Sequence, residues 1–295
     1  MFPNAFSYYA PETQDEAFEL LGRYGYEGKV LAGGQSLLPM MKLRLAAPSV
    51  LIDINHLKEL ETVQEAEDAL TLGALTRHAQ MEMRVFPRYP LLHEAAGHIA
   101  DPLVRNRGTM SGSLAHADPA ADWGAALLAM NARVRIQSHG KSREVPLREF
   151  FVDTFTTVVE PEELVTAVII PAPPSQDFVA ARYLKLERKV GDFAVVAVAV
   201  TVSINPQGTI THAGIGLAAV GVTPLAATRA ESLLTGRSLT PEIIREAAQI
   251  ASEEADPVSD RRGSEAYKRA MVRVFVERGL SAVYSDWRRA VGTSA

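Results

Sequence analysis

Two short stretches of this 295-residue chain carry residue types suited to holding an anion. The first is Ala32, Gly33, Gly34, Gln35 and Ser36, set between the strand-like residues 29–32 and the helix-like run SLLPMMKLRL. Adjacent glycines permit positive φ and remove the Cβ between backbone and ligand. Successive N–H groups in such a turn can form a nest for phosphate, assisted by the positive end of the helix that follows. A plain tight turn fits the same residues. The second stretch, Gly108, Thr109, Met110, Ser111, Gly112 and Ser113, reads as another small, hydroxyl-rich loop able to approach a ligand closely. It leads into HADPAADWGAALLAM, where Asp118 is the expected N-cap and Pro119 the first helical residue. Asp122, one turn in, can complement the helix dipole or accept hydrogen bonds from ligand hydroxyls. His116, Asp118 and Asp122 lack the further ligand-rich segment that a metal set needs, so no metal is expected.

These stretches must be held by ordinary elements, and those are legible. TQDEAFELLGRYG carries a capping-box pattern, Thr13 with Glu16, and apolar residues at helical spacing that stop at Gly25. With the strand candidates at 29–32 and SVLIDI it predicts a small α/β unit with parallel strands within residues 1–54. Less regular patterning follows: strand-like ALTLGALT, helix-like PLLHEAAGHIA, and a hairpin RVRIQSHGKSREVPL turning at HGK. ELVTAVIIPAPP is a strand running into a proline-rich linker at 171–176. Beyond it ARYLKLERK, FAVVAVAVTVSI and ITHAGIGLAAVGV read as strands, and helices close the chain, the last from about residue 264. Strands followed by helices predict an α+β C-terminal domain.

Composition bounds the function. With 47% hydrophobic and 22% charged residues the chain can build a core of ordinary size. It has no cysteine, which excludes disulfides, thiolate zinc and cysteine-ligated iron–sulfur clusters on this chain. A net charge of -5 argues against a general nucleic-acid binder. No apolar run approaches the roughly 18 residues of a membrane span. The first residues lack the basic and apolar regions of a secretion signal, so a cytoplasmic protein is expected.

Two features invite over-reading. GIGLAAVG, residues 214–221, imitates a dinucleotide fingerprint but has the wrong glycine spacing and opens no helix, so it reads as a strand with packing glycines. Lys185, Arg188 and Lys189 read as a solvated strand end.

In combination, AGGQSLLPMMKLRL and IADPLVRNRGTMSGSLAHADPAAD resemble the FAD-binding medium subunit of the molybdenum hydroxylases, the family of the carbon monoxide dehydrogenase flavoprotein and the xanthine dehydrogenase FAD subunit. ERKVGDFAVVAVAV and GIGLAAVGVTPLAA extend the likeness over nearly the whole chain. The resemblance implies an α+β protein: an FAD-binding domain of the vanillyl-alcohol-oxidase (PCMH) type in two subdomains, 1–54 and 55–173, then a C-terminal domain, 177–290, with a small antiparallel sheet and helices. It implies FAD contacts at residues 32–36 and 109–113, at Asp122 and near Val159, with Phe193 covering the flavin ring. Otherwise Phe193 is a core residue of a strand. Ser111 replaces a glycine of the family pattern, and Gln35 stands where histidine is frequent. Glu187 stands where relatives carry a basic residue, a role that Lys185 or Lys189 can take. No histidine or cysteine lies in either loop, so the FAD is expected to be non-covalent.

The implied role is electron transfer within a heterohexamer, a dimer of heterotrimers. A small subunit holds two [2Fe–2S] clusters, a large one holds molybdopterin, and this chain passes electrons through FAD to an outside acceptor. The flavin does the chemistry, so no catalytic acid or base is named. The competing readings are a self-sufficient flavin oxidoreductase of the same fold and a non-enzymatic nucleotide-binding protein.

Overall fold

The computed structural model describes residues 2–292. Its first part is the small parallel unit expected from the sequence: strand β1 (Ser7–Tyr9), helix α1 (Gln14–Tyr24), β2 (Gly28–Leu31), α2 (Leu37–Lys42) and β3 (Val50–Asp53). The order β1-β3-β2 is all parallel. Three-residue β1 is too short to show an alternating pattern and is an addition to the sequence reading. Thr13 caps α1, its Oγ1 accepting from Glu16 N at 3.2 Å. The return arm of the box lands one residue early, on Glu12 N. Ala17, Leu20 and Leu21 bury one face of α1 against Val50 and Ile52.

The middle of the chain wraps five short helices around a five-stranded antiparallel sheet, order β4-β5-β10-β6-β7. In chain order these are β4 (Val63–Glu65), β5 (Ala69–Gly73), α3 (His78–Met83), α4 (Pro90–Gly97), α5 (Pro102–Arg107), α6 (Met110–His116), α7 (Asp122–Ala129), β6 (Arg133–Ser138) and β7 (Lys141–Pro146). A small two-stranded ribbon, β8 (Phe151–Asp153) with β9 (Thr156–Thr157), precedes β10 (Leu164–Pro171). β6 and β7 form the predicted hairpin.

The last part is the antiparallel sheet β11 (Phe178–Leu186), β12 (Val196–Ile204), β13 (Ile210–Ala218) and β14 (Leu225–Ala226), followed by α8 (Thr228–Leu234), α9 (Pro241–Glu254) and α10 (Glu265–Gly292). Every residue of β12 is buried. α10 packs on β11 and β12, while α4 and α7 of the preceding part also pack on this sheet. A strand covered on both faces needs apolar residues at every position, which explains the continuous run in the sequence. Gly214 and Gly216 sit on β13 where a Cβ would fall 1.7 Å from Ala129 O and 1.9 Å from Ala125 O. The helix α7 backbone therefore rests directly on the strand, and the apparent fingerprint is a packing seam. No helix among the described residues is long and apolar enough to cross a membrane.

Two local expectations are corrected. Asp118 and Pro119 do not open a helix: α7 starts at Asp122 with Ala121 as N-cap, and Asp118 instead accepts from Ala120 N at 2.9 Å in a turn. Residues 110–113 are not a loop but the first turn of α6, capped by Thr109 Oγ1, which accepts from Gly112 N at 3.2 Å.

Candidate cofactor-binding site

A cleft of about 700 Å³ runs between the parallel unit, the start of α6 and the edge of the C-terminal sheet. Ala32, Gly33, Gly34, Gln35 and Ser36 line it from one side; Thr109, Ser111, Gly112 and Ser113 line it from the other. Asp122, Val159, Lys185 and Phe193 also border it. Met110 does not: its side chain is fully buried in the core behind α6.

The first wall is a run of unused donors. Among the described residues, the backbone N–H groups of Gly33, Gly34, Gln35 and Ser36 donate to nothing within the chain. Gly34 has φ +72°, the left-handed value that glycine takes without strain. Gly33 has a different reason to be glycine. A Cβ there would lie 2.4 Å from Arg107 O and 2.7 Å from Gly108 Cα. The two cradles thus touch through backbone, and the glycine secures their closeness to each other.

The second wall holds an orphan. Ser111 Oγ is buried at the cleft and has no hydrogen-bond partner among the described residues. A buried hydroxyl left unpaired costs roughly 1–3 kcal/mol, so such an atom points to a partner that the protein itself does not supply. Four adjacent amide donors and this hydroxyl on one cleft suit a diphosphate, whose oxygens accept and whose charge favours an amide nest. The donor set fits FAD.

Deeper in, Asp122 does more than border the ligand space. Its Oδ1 accepts from Tyr183 OH at 2.7 Å and lies 3.0 Å from Lys185 Nζ. Lys185 Nζ also donates to His98 O at 2.9 Å, with Glu187 Oε2 at 3.6 Å. Burial pushes the Asp122 carboxyl up, against the ammonium and phenol that hold it down, and burial pushes the Tyr183 phenol well up. Lys185, with only 1% of its side chain exposed, is therefore not a solvated strand end but one half of a buried ion pair linking α7 to β11. Phe193 is no core strand residue either. It lies on the loop before β12, 49% exposed, at the cleft rim.

His78, which no local pattern of residues singles out, also borders the cleft. Its Nδ1 accepts from Trp123 Nε1 at 2.9 Å, so the neutral ring carries its proton on Nε2, beside Gly108. Burial, with Arg77 and Arg105 nearby, lowers its pKa from 6.5 to about 4. Between those values the unfolded chain binds a proton that the fold refuses, so this residue costs the fold stability as pH drops from 6.5 towards 4, up to about 3 kcal/mol. His78→Gln, which keeps an acceptor for Trp123, should flatten the loss of unfolding free energy between pH 6.5 and 4.5 in urea titrations. An unchanged slope would contradict the assignment.

Comparisons with known proteins agree with this geometry. Residues 4–173 match the family described as the FAD binding domain in molybdopterin dehydrogenase, and residues 181–283 match the CO dehydrogenase flavoprotein C-terminal domain. The chain is 40% identical to the carbon monoxide dehydrogenase medium chain of Hydrogenophaga pseudoflava, over 97% of this chain and 99% of that one. It is 37% identical to the 6-hydroxypseudooxynicotine dehydrogenase complex subunit alpha of Paenarthrobacter nicotinovorans, over 95% of each. A solved structure of carbon monoxide dehydrogenase from Hydrogenophaga pseudoflava superposes with a TM-score of 0.92 at 41% identity, covering 97% of this chain and 99% of its counterpart. With an FAD-type cleft built from both matched regions, the chain belongs to the family of FAD-binding medium subunits of molybdenum hydroxylases.

Proposed function

We propose that this chain holds one FAD non-covalently in the cleft and serves as the electron-transfer subunit of a cytoplasmic molybdenum hydroxylase. The observation that carries the reading is that residues 33–36, whose four N–H groups have no acceptor among the described residues, line the same cleft as Ser111 with its unpartnered hydroxyl. Gly33, Gly34, Gln35 and Ser36 would hold the diphosphate from one side, with Ser111 donating from the other. Thr109 keeps the first turn of α6 in place by capping it. Asp122, fixed by Lys185 and Tyr183, offers its remaining acceptor capacity to cofactor hydroxyls. Val159 and Phe193 supply apolar walls, Phe193 at the rim where a flavin ring would need cover. Met110 contributes only packing.

When bound, FAD supplies the redox chemistry, accepting electrons from the [2Fe–2S] clusters of a small partner subunit and releasing them to an external acceptor. The clusters must come from a partner because this chain has no cysteine. A large molybdopterin subunit completes the heterotrimer, and two heterotrimers the assembly. Within the chain, residues 1–54 and 55–173 are assigned to the two FAD-binding subdomains and 177–290 to the C-terminal domain. Similarity to proteins named as a medium chain and as a complex subunit favours this reading over a self-sufficient flavin oxidoreductase.

Purification of the tagged chain from its native cell tests it. The expected result is co-purification of a large and a small subunit with molybdenum and iron, and flavin bleaching by substrate only in that complex. A solitary chain whose flavin is reduced directly by a small molecule would overturn the reading.

A further inference from the structure

The turn at residues 32–36 follows β2 of the parallel unit, and the corner at residues 107–109 joins α5 to α6. Gly33 lets the two touch, but that contact alone does not hold them together. A chain of side-chain hydrogen bonds behind the cleft does. Asn55 Nδ2 donates to Ala32 O at 2.7 Å, the carbonyl at the start of the first cradle. Asn55 Oδ1 accepts from Arg77 NH2 at 2.6 Å. Arg77 NH1 then donates to Arg107 O, the same carbonyl against which Gly33 is packed. Both ends of this chain are themselves anchored. Asp53 Oδ1 accepts from Asn55 N at 2.9 Å, while Asp53 Oδ2 accepts from Tyr8 OH at 2.7 Å. Arg77 N donates to Gln80 Oε1 at 2.7 Å, and the Arg77 backbone bridges to Thr109.

We propose that Asn55 and Arg77 are positioning residues for FAD: together they form a strut that fixes the 32–36 cradle against the Arg107–Gly108 corner, so that both donor sets meet one diphosphate. This rests on the functional reading above and adds residues that neither the glycine motifs nor the cleft walls contain. Neither Asn55 nor Arg77 borders the cleft. Arg77 suits the task because a planar guanidinium presents several donors in a fixed fork, enough to grip Asn55 Oδ1 and Arg107 O at once. Among the described residues no carboxylate pairs directly with that guanidinium, so its charge remains available to favour an anion in the adjoining cradles.

The test uses the full chain stripped of FAD and titrated with FAD by flavin fluorescence, in the parent and in Asn55→Ala, Arg77→Ala and the double variant. Each single change should raise Kd on the order of 10–100-fold, the range seen when the supports of a ligand-holding group are removed. Because the two residues act in series, the double variant should be no weaker than the weaker single one; independent contributions would multiply. Millimolar methylguanidinium should restore affinity to Arg77→Ala and not to Asn55→Ala, a response that a merely structural role would not give. Should Arg77→Ala fail to fold, Asn55→Ser carries the same prediction with less disturbance. Affinities within twofold of the parent, multiplying losses, or absence of guanidinium rescue would overturn the strut. A parent chain that takes up no FAD would overturn the functional reading itself.

Discussion

Replacing Gly33 with alanine should weaken FAD binding by at least about 100-fold while leaving the chain folded. The new Cβ meets Arg107 O at 2.4 Å, Gly108 Cα at 2.7 Å and Arg107 C at 3.0 Å. All three are backbone atoms, so no side chain can rotate aside. The turn must move away from the corner, and the N–H groups of residues 33–36 then no longer face the Ser111 side of the cleft. A hydrogen bond to a charged group is worth about 1.5–3 kcal/mol, so losing two reaches or exceeds a hundredfold. Of the turn only Ala32 packs on the β3–α1 core, and Gly33 does not belong to it, so the apo chain should unfold within a few degrees of the parent. Gly34→Ala is the instructive comparison. It strains a φ of +72° and presses on Leu38 Cδ1 at 2.9 Å, the movable end of a side chain, so it should cost less. Titration of FAD into the three proteins by fluorescence or calorimetry separates them. A Gly33→Ala chain with affinity within fivefold of the parent would refute the backbone contact as the reason for this glycine.

Gly214→Ala should be the most destabilising single methyl that can be added to this chain, about 4 kcal/mol or outright failure to fold. Ordinary overpacking costs about 1–3 kcal/mol because neighbouring side chains adjust. Here the obstacles are Ala129 O, C and Cα at 1.7, 2.6 and 2.9 Å, the main chain of α7. Gly216 faces Ala125 in the same way, one helical turn earlier. Two residues apart on a strand and four apart on a helix, these positions form one seam. The consequence reaches the cleft, since α7 begins with Asp122 and is tied to β11 by the Lys185 ion pair. Gly22→Ala provides the opposite sign. That glycine lies on the exposed face of α1 with nothing within 4 Å of the added methyl, and alanine there should stabilise by about 0.5–1 kcal/mol. Urea unfolding of both variants measures the contrast; equal stabilities would show that α7 does not rest on β13 as described.

Much of this architecture was legible in the sequence because its signals are local. The α1 cap, the strands around the glycine turn, the β6–β7 hairpin and the all-apolar β12 each follow from spacing within a dozen residues. The convergence of two remote glycine segments followed only from their combined resemblance to a family. What stayed hidden depends on partners far along the chain. Lys185 reads as solvated until Asp122, 63 residues upstream, is placed beside it. α6 has seven residues, among them glycine and two serines, and is held by the Thr109 cap and tertiary packing rather than by an apolar period. For the same reason the helix start moved from Pro119 to Asp122. His78, Asn55 and Arg77 sit in unremarkable surroundings in the sequence, and their roles appear only when Gly108, Ala32 and Arg107 come within reach.

The most direct test of the central claim is the flavin content of the purified chain before and after acid precipitation. The expected result is one FAD per chain, released entirely into the supernatant as intact FAD, and reloaded by the stripped protein with the same stoichiometry. A chain that takes up no FAD at micromolar cofactor, or one whose flavin remains in the precipitate, would contradict it.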